Sequence, residues 1–193
     1  MEITTWHLEQ TSPSDLSAAK PPAVPVEVTR AELVSPELNR YLYTAVGGDW
    51  FWIDRLGWTW RQWTEWLDRP GVETWVAYAQ GTPCGFFELD GSVEGVEGME
   101  GTVELAYFGL MSSFVGKGVG GHLLTVALRE AWALAERWPG HASTRRVTVH
   151  TCTTDGPAAL KNYQARGFRL VRTETEQAEL PAETPGPWPG AAK

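Results

Sequence analysis

The sequence predicts a single α/β domain whose central sheet is mixed but mostly antiparallel and carries helices on both faces. Two observations predict this class. The first half of the chain holds strand-like runs joined by turns, such as TWVAYA and CGFFEL around QGTP, which form a hairpin. The second half follows the order strand, glycine-rich loop, helix, strand, helix, strand. At 193 residues, the chain has the length of one domain of ordinary size.

The N-terminal part of the chain holds two strands and a helix. ITTWHLEQ, residues Ile3–Gln10, is predicted to be an edge strand, and PVEVTRAEL is predicted to be a second short strand. The stretch between them, residues 11–25, is rich in Pro, Ser and Ala and indicates a loop. A helix is predicted over Pro36–Ala45, because Gly47 and Gly48 follow it and stop it.

The next segment is rich in tryptophan, since six of the 11 tryptophans lie between Trp50 and Trp66. Thr59 and Gln62 have the spacing of a capping box, which predicts a helix start. Three apolar residues fall on one face of that helix: Trp60, Trp63 and Leu67. The tryptophan rings form either an aromatic core layer under the helix or the wall of a substrate pocket.

The middle of the chain continues with a loop, a strand and a long helix. Residues 91–101, GSVEGVEGMEG, are expected to form an exposed and mobile loop. Thr102–Leu110, TVELAYFGL, is a nearly continuous apolar strand, and the helix after the glycines is predicted to reach Pro139. RRVTVHT, Arg145–Thr151, is predicted to be a buried strand.

The last elements are a helix, a strand and a tail. Asp155 can cap the helix, Pro157 suits its first turn, and Gly167 ends it as a C′ glycine. FRLVRTETEQAEL follows as the final strand. The domain is therefore assigned to residues 1–180, and residues 181–193, with four prolines in nine residues, are expected to be a disordered tail.

The charges and cysteines narrow the function classes. The net charge of −8 argues against DNA or RNA as a partner. Residues 1–114 carry a balance of −11 and residues 115–172 a balance of +6, which fits an acidic half that holds a cation and a basic half that holds an anion, or simply two differently solvated surfaces. Cys84 and Cys152 lack ligand spacing, so no metal is expected. No apolar run of 18 residues and no signal peptide are present, so no membrane role and a cytoplasmic location are expected.

Four glycines in six residues stand directly before the long helix: Gly116, Gly118, Gly120 and Gly121. A strand-to-helix turn needs fewer, so the loop is predicted to bring main-chain N–H groups close to an anion at the helix N-terminus. The Walker pattern G-x-x-x-x-G-K-[ST] is absent. A dinucleotide-binding unit has an acidic residue about 20 positions after its glycines, whereas Asp155 comes 34 residues after Gly121.

Two motifs resemble those of GNAT-family N-acetyltransferases, which use acetyl-CoA. The family loop is [RQ]-x-x-G-x-[GA], and Val115–Gly120 matches it at every position except the first, which is Val115. ALKNYQARGF, Ala159–Phe168, is similar to the family pattern A-x-x-x-Y-x-x-x-G-F. The resemblance covers residues 74–173, the expected acetyl-CoA-binding core, and leaves residues 1–73 as the expected acceptor side. It implies a sheet in which two parallel strands splay apart at the acetyl-CoA site.

The resemblance also implies roles for individual residues. Main-chain N–H groups of Phe108 and Leu110 would polarise the thioester carbonyl, and Tyr163 would protonate the departing thiolate, unless it only packs helix against sheet. Asp155 adjoins Gly156, which stands where the family often has Asn. The implied cofactor-binding set is Phe108, Leu110, Val115, Gly116, Lys117, Gly118, Val119, Gly120, Gly121, Asp155 and Arg166, with Lys161 as a further candidate for a phosphate.

Acetyl transfer to an amine also needs a neutral nucleophile. At pH 7 only about one part in 2,500 of a lysine-like amine is neutral, a cost of roughly 4.6 kcal/mol that favours a base or a desolvating pocket. Glu104 is the favoured base, because a carboxylate in an apolar strand is costly and because it stands 11 residues before Val115, as in histone-type members of the family. Glu104 can also face solvent or pair with an arginine. Glu88 and Asp49 are alternative bases, acting directly or through a water.

The predicted function is direct transfer of an acetyl group from acetyl-CoA to a primary amine of a small molecule or peptide in a ternary complex. The alternative is a regulatory module that binds acetyl-CoA without catalysis. A cationic or polar acceptor is expected to enter from the N-terminal half, where Trp50, Trp52 and Glu88 are the candidate substrate-binding residues and tryptophans can make cation–π contacts. Cys152 and His150 lack a third, orienting group for hydrolase chemistry. A monomer or a homodimer is expected.

Overall fold

The computed structural model describes residues 1–92 and 99–188, and seven strands in these ranges form one mixed sheet. The strands are β1 Glu2–Gln10, β2 Val26–Ala31, β3 Val72–Ala79, β4 Thr82–Asp90, β5 Thr102–Leu110, β6 Arg146–Cys152 and β7 Arg169–Gln177. They lie side by side in the order β2-β3-β4-β5-β6-β1-β7. Within the described part of the chain, β5 and β6 are the one parallel pair, and the other neighbours are antiparallel. The predicted fold class is confirmed.

Helices cover both faces of the sheet. They are α1 Pro36–Gly47, α2 Trp60–Leu67, α3 Val119–Trp132, α4 Leu134–Arg137 and α5 Ala159–Ala165. Successive side chains of a strand point to opposite faces, so Val76 and Ala77 on β3 belong to different cores. The core on the Ala77 side contains α3 and Tyr163 of α5, whereas Leu42 and Val46 of α1 pack with Val76 on the other side. The sheet therefore separates α3 and α5 from α1 and α2.

Local capping explains where the first two helices begin. The Ser35 side chain accepts a hydrogen bond from the Leu38 N–H, and Pro36 occupies the first turn of α1. Thr59 and Gln62 form the predicted capping box at the start of α2. Of the three apolar residues predicted on one face of α2, Trp63 and Leu67 are buried, but Trp60 points outward and donates to Glu37. Trp60 is the first residue of α2, and its exposed ring connects α2 to α1 through this hydrogen bond.

The placement of β1 corrects the sequence-based prediction of an edge strand. β1 lies inside the sheet and pairs with β6 on one side and β7 on the other, both antiparallel. Alternation along a strand shows which face is apolar but carries no information about its neighbours, which are set by pairing across almost the whole chain. The edges of the sheet are β2 and β7.

Two helix boundaries also differ from the predictions. The long helix ends at Trp132, and the short α4 follows after Ala133, so the apolar face continues toward Pro139 on two helices. Asp155 does not cap α5, which begins four residues later; its carboxylate accepts from the Thr151 hydroxyl and the Cys152 N–H instead. Asp155 therefore closes the turn that follows β6. Gly167, with φ of +96°, follows the end of α5 as predicted.

The two segments expected to be mobile lie partly outside the described residues. The gap at residues 93–98 falls within the predicted loop 91–101, and residues 189–193 belong to the predicted tail. In the described ranges, no helix combines the length and the apolar character that crossing a membrane requires.

Candidate active site

A cleft of about 820 Å³ opens where β5 and β6 separate. Pairing between the two parallel strands covers only Thr102–Glu104 of β5 and Arg146–Thr148 of β6. Beyond this point β5 continues to Leu110 and β6 to Cys152. Residues from α1, α3, α5 and both strands line the cleft. The cleft therefore joins the two faces of the sheet at the point where its backbone hydrogen bonding is interrupted.

A bulge in β5 sets which main-chain groups face the gap. The pairing of β4 with β5 shifts so that Ala106 has no opposite residue. Further along, the Met111 N–H donates to the Cys84 carbonyl at 3.0 Å. Neighbouring residues of an antiparallel strand direct their N–H groups to opposite sides, so the N–H groups of Phe108 and Leu110 point away from β4. They face the side from which β6 has diverged, as the resemblance implied.

The glycine loop presents a free helix N-terminus at one end of the cleft. Gly116 and Gly118 have φ of +80° and +78°, the left-handed region that glycine adopts without strain. Gly118 is the N-cap of α3, and neither a side-chain cap nor an acidic residue in the first turn competes with an incoming anion. The first N–H groups of α3 and its positive dipole end are therefore available to an anion.

The structure brings most of the predicted cofactor-binding residues to this cleft. Those that line it are Phe108, Leu110, Val115, Gly116, Gly118, Gly120, Gly121 and Asp155, with Lys161. Three others lie outside the lining. Val119, the first residue of α3, is fully buried, the ammonium of Lys117 lies 5.5 Å from the centre of the Phe114 ring, and Arg166 donates to the carbonyl of Ser17. The side chains of Lys117 and Arg166 are thus held by the protein itself.

Tyr163 reaches the cleft from α5 and is otherwise buried. Its ring packs edge-on against Phe108 of β5 and Phe168. Burial, with a smaller contribution from Asp155, raises the pKa of Tyr163 well above its usual range. The hydroxyl therefore remains protonated at neutral pH, as a proton donor must.

Gly156 shows how this chain departs from the family pattern. A side chain there would meet the Trp50 ring at 3.3 Å, a tight contact that the ring must yield to. Trp50 also lines the cleft. The position where the family often has Asn is therefore covered by a tryptophan from the acceptor side.

The acceptor side of the cleft is built from aromatic side chains of α1, α2 and the segment between them. Of the candidate substrate-binding residues, Trp50 and Trp52 line this side, together with Tyr43, Trp66 and, from β5, Tyr107. Glu88, by contrast, is fully buried and accepts hydrogen bonds from Arg55 at 3.1 Å and Trp66 at 2.8 Å. Arg55 and Trp66 line the cleft and lie between it and Glu88. Glu88 is therefore not placed to touch an acceptor. Asp49 also lies outside the set of described residues that line the cleft.

Arg55 changes the interpretation of the tryptophan-rich segment. Its guanidinium carbon lies 3.9 Å from the centre of the Trp66 ring and 4.2 Å from that of Tyr107, with Trp58 at 4.7 Å and Trp63 at 5.6 Å. The cation–π contacts predicted for a substrate at Trp58, Trp63 and Trp66 are therefore made by the protein's own arginine. This arginine carried no sequence signal, because its partners come from α2, β4 and β5.

Glu104, the predicted base, lies in the cleft beside His150. Glu104 Oε1 is 3.2 Å from Nδ1 of His150, and both residues line the cleft. The two side chains meet because Glu104 pairs with Thr148, and His150 is the next residue of β6 on the same face. Glu104 is thus an orienting group for His150, which corrects the prediction that His150 lacks one. Cys152 has no part in it, since its sulfur contacts the Thr154 hydroxyl at 3.0 Å.

The arrangement offers no metal centre, since no group of three or more His, Cys, Asp or Glu side chains in the described ranges is placed to hold an ion. It combines main-chain donors at a strand break, a free helix N-terminus and a protonated tyrosine. The family model described as the acetyltransferase (GNAT) family matches residues 37–168. The chain belongs to the GNAT acetyltransferase family.

Solved structures of this family have the same fold. A GCN5-related N-acetyltransferase from Kribbella flavida is 16% identical, with a TM-score of 0.58, over 89% of this chain and 56% of that chain. One from Sphaerobacter thermophilus is 18% identical, with a TM-score of 0.57, over 89% of this chain and 49% of that one. This GNAT chain thus spans about half the length of these two relatives. A search among curated protein sequences gave no match.

A smaller structure gives a similar result. An aminoglycoside acetyltransferase from an uncultured soil metagenomic sample, in complex with trehalose, is 14% identical, with a TM-score of 0.55, over 73% of this chain and 86% of that one. At such identities the likeness shows the fold alone. The GNAT family and its α/β fold, which the loop and tyrosine motifs implied, are confirmed.

Proposed function

We propose that the protein transfers an acetyl group from acetyl-CoA to a primary amine of a small molecule or peptide, with both substrates bound at once. The observation that carries the proposal is the break between β5 and β6. It brings Phe108, Leu110, Tyr163 and the N-terminus of α3 to one cleft that also opens to the acceptor side. A shared cleft suits direct transfer, because it holds the two reacting groups together without a covalent enzyme intermediate.

The α3 side of the cleft fits acetyl-CoA. The pyrophosphate suits the N–H groups of Gly118 and the residues that follow it, because no side chain caps them and open space lies around Gly116. Lys161 lines the same cleft and supplies a positive charge. Val115 in place of the family's Arg or Gln removes one side-chain contact but leaves these main-chain donors unchanged.

The reaction needs hydrogen-bond donors for the thioester oxygen, a proton donor for the sulfur and a base for the amine. The N–H groups of Phe108 and Leu110 donate to the thioester oxygen, where negative charge develops as the amine nitrogen bonds to the acetyl carbon. Tyr163 gives its hydroxyl proton to the sulfur as the C–S bond breaks and the sulfur takes the electron pair. Tyr163 then regains a proton from solvent. The proton lost by the amine passes to a base on the acceptor side, where Glu104 lies.

The acceptor enters between the aromatic segment and Glu104. Trp50 and Trp52 still face the cleft and can contact a bound amine, whereas Arg55 occupies the other rings. The acceptor is thus expected to be a polar amine that stacks on Trp50 rather than a cation held in a full aromatic cage. Because one similar structure is an aminoglycoside acetyltransferase, aminoglycosides belong among the first amines to be tested.

The test is thiol release from acetyl-CoA in the presence of an amine panel, with mass spectrometry of the products. The panel contains aminoglycosides, amino acids, polyamines and short peptides. Amine-dependent thiol release and an acetylated product are expected for at least one class. Calorimetric binding of acetyl-CoA without turnover on the whole panel would favour the regulatory module instead, and failure to bind acetyl-CoA would contradict both.

A further inference from the structure

The contact between Glu104 and His150 is built at the edge of the strand break. Glu104 Oε1 lies 3.2 Å from His150 Nδ1, and the side chains are 30% and 52% exposed. A carboxylate on Nδ1 fixes the imidazole so that Nδ1 carries the proton and Nε2 is free to accept one. The exposed half of the His150 ring lines the same cleft as Tyr163. The two proton-transfer groups therefore reach one space from opposite sides of the strand break.

We propose that His150 is the base that takes the proton of the acceptor amine, and that Glu104 is a positioning residue that orients the neutral imidazole and stabilises the imidazolium formed when it accepts the proton. This assignment rests on the proposed acetyl transfer. It differs from the sequence-based prediction, in which Glu104 itself was the base. A general base works best when its pKa lies near the working pH, and an imidazole meets this condition more closely than an ordinary carboxylate.

The surroundings of His150 favour its charged form. The hydrogen bond that Nδ1 donates to Glu104 raises the pKa of His150 above the usual value, against a smaller lowering by burial, and the charge of Asp155 adds to the rise. From β1, His7 faces the ring with a centroid distance of 6.0 Å. His7 itself contacts Glu174 at 2.9 Å and Arg172 at 3.3 Å, both from β7. A proton on His150 is thus stabilised mainly by Glu104.

Side chains of the cleft and solvent account for every proton that moves in this step. Nε2 of His150 takes one proton from the amine nitrogen while that nitrogen forms its bond to the acetyl carbon. Glu104 remains ionised and stabilises the imidazolium that results. His150 then releases the proton to solvent through its exposed face, and Tyr163 separately supplies the proton that the thiolate needs.

The pH dependence of kcat/KM tests this assignment, measured with the best amine of the panel. His150 must be neutral to accept a proton, so kcat/KM should rise with pH through the pKa of His150. This rise is the acidic limb of the pH profile. His150→Gln should lower kcat/KM by roughly 10²-fold or more and remove the acidic limb. Glu104→Gln keeps a hydrogen-bond acceptor but loses the charge, so the limb should remain and move to lower pH. His7→Gln is the matched control. Its kcat/KM should show the acidic limb with the same amplitude as in the unaltered protein.

Histidine proton titration by NMR supplies a readout that does not need turnover. The NMR titration of His150 should give a pKa above the usual histidine value in the unaltered protein and a lower pKa in Glu104→Gln. If His150→Gln keeps its rate and its acidic limb while Glu104→Gln loses both, Glu104 is the base and the assignment to His150 is overturned. If the unaltered protein acetylates no amine, the proposed function fails as a whole, which is a different result from turnover that ignores His150.

Discussion

The two sides of the strand break are built from different materials. On the side of α3 and α5, the binding groups are main-chain N–H groups of Phe108, Leu110 and the glycine loop, with few charged side chains among them. On the side of α1 and α2, they are side chains: aromatic rings, Arg55 and the Glu104–His150 pair. A site made of backbone depends on chain shape and tolerates Val115, whereas a site made of side chains changes with each substitution. Under the proposed function, we therefore expect the α1 and α2 side to set the specificity for the acceptor.

The same contrast separates two carboxylates on neighbouring strands. Glu88 of β4 is buried, and burial raises its pKa although Arg55 and Trp66 oppose the rise. Glu104 of β5 is partly exposed and holds a histidine that faces the cleft. Both were candidate bases in the sequence, but Glu88 stabilises the aromatic segment from behind and Glu104 stands in the cleft.

The largest effect on catalysis is expected for Tyr163→Phe. The ring keeps its packing against Phe108, but the hydroxyl proton is lost, so kcat should fall by roughly 10²–10⁴-fold. Steady-state kinetics of thiol release measure this, with acetyl-CoA affinity from calorimetry as the control that should stay nearly constant. An unchanged kcat would mean that water protonates the thiolate and that Tyr163 only packs.

The variant Glu88→Gln tests whether Glu88 contributes more than Glu104 to the stability of the protein. It leaves Arg55 without its buried counter-charge, so the free energy of unfolding should fall by about 3–5 kcal/mol. Glu104→Gln is the matched control and should change it by less than about 0.5 kcal/mol, because Glu104 is partly exposed. Urea denaturation followed by tryptophan fluorescence measures both. Equal losses in the two variants would remove the distinction between a structural and a cleft carboxylate.

Gly120→Phe tests the main-chain site. A Cβ at Gly120 would meet Leu110 at 3.5 Å, an ordinary contact, so alanine fits but a phenyl ring must extend into the cleft. The Kd for acetyl-CoA should rise by about 100-fold, or roughly 2.7 kcal/mol, in Gly120→Phe and change little in Gly120→Ala. Calorimetry gives the Kd and a melting curve checks the fold. Full affinity in a folded Gly120→Phe protein would show that acetyl-CoA binds elsewhere.

The smallest effect is expected on acetyl-CoA binding when one of two lysines, Lys161 or Lys117, is replaced. Lys161 lines the cleft, whereas Lys117 lies over the Phe114 ring outside it. Lys161→Ala should weaken acetyl-CoA binding by about two- to fivefold at low salt and less at high salt, and Lys117→Ala by less than about twofold. Calorimetry at two salt concentrations distinguishes them. The reverse order would mean that Lys117 leaves Phe114 when acetyl-CoA binds.

Much of the cofactor side could be predicted from the sequence, because its signals are local. The glycine spacing, the helix start that follows it and the tyrosine motif are each contained within ten or so residues of sequence, and a helix N-terminus needs no distant partner. The acceptor side gave weaker signals. The same six tryptophans fitted a core layer and a pocket wall, and the structure uses them for both, with Trp63 buried and Trp50 lining the cleft.

What the sequence determined by itself was the family, the order of elements and the loop that suits an anion, since propensity, capping and glycine spacing act over short distances. The tertiary structure decided the contacts between residues that are far apart in the chain. It inserted β1 between β6 and β7, placed Arg55 over Glu88, and joined Glu104 to His150, 46 residues away. These pairings depend on strand register and on which face each side chain takes, and register is fixed by packing over the whole sheet rather than by any local pattern.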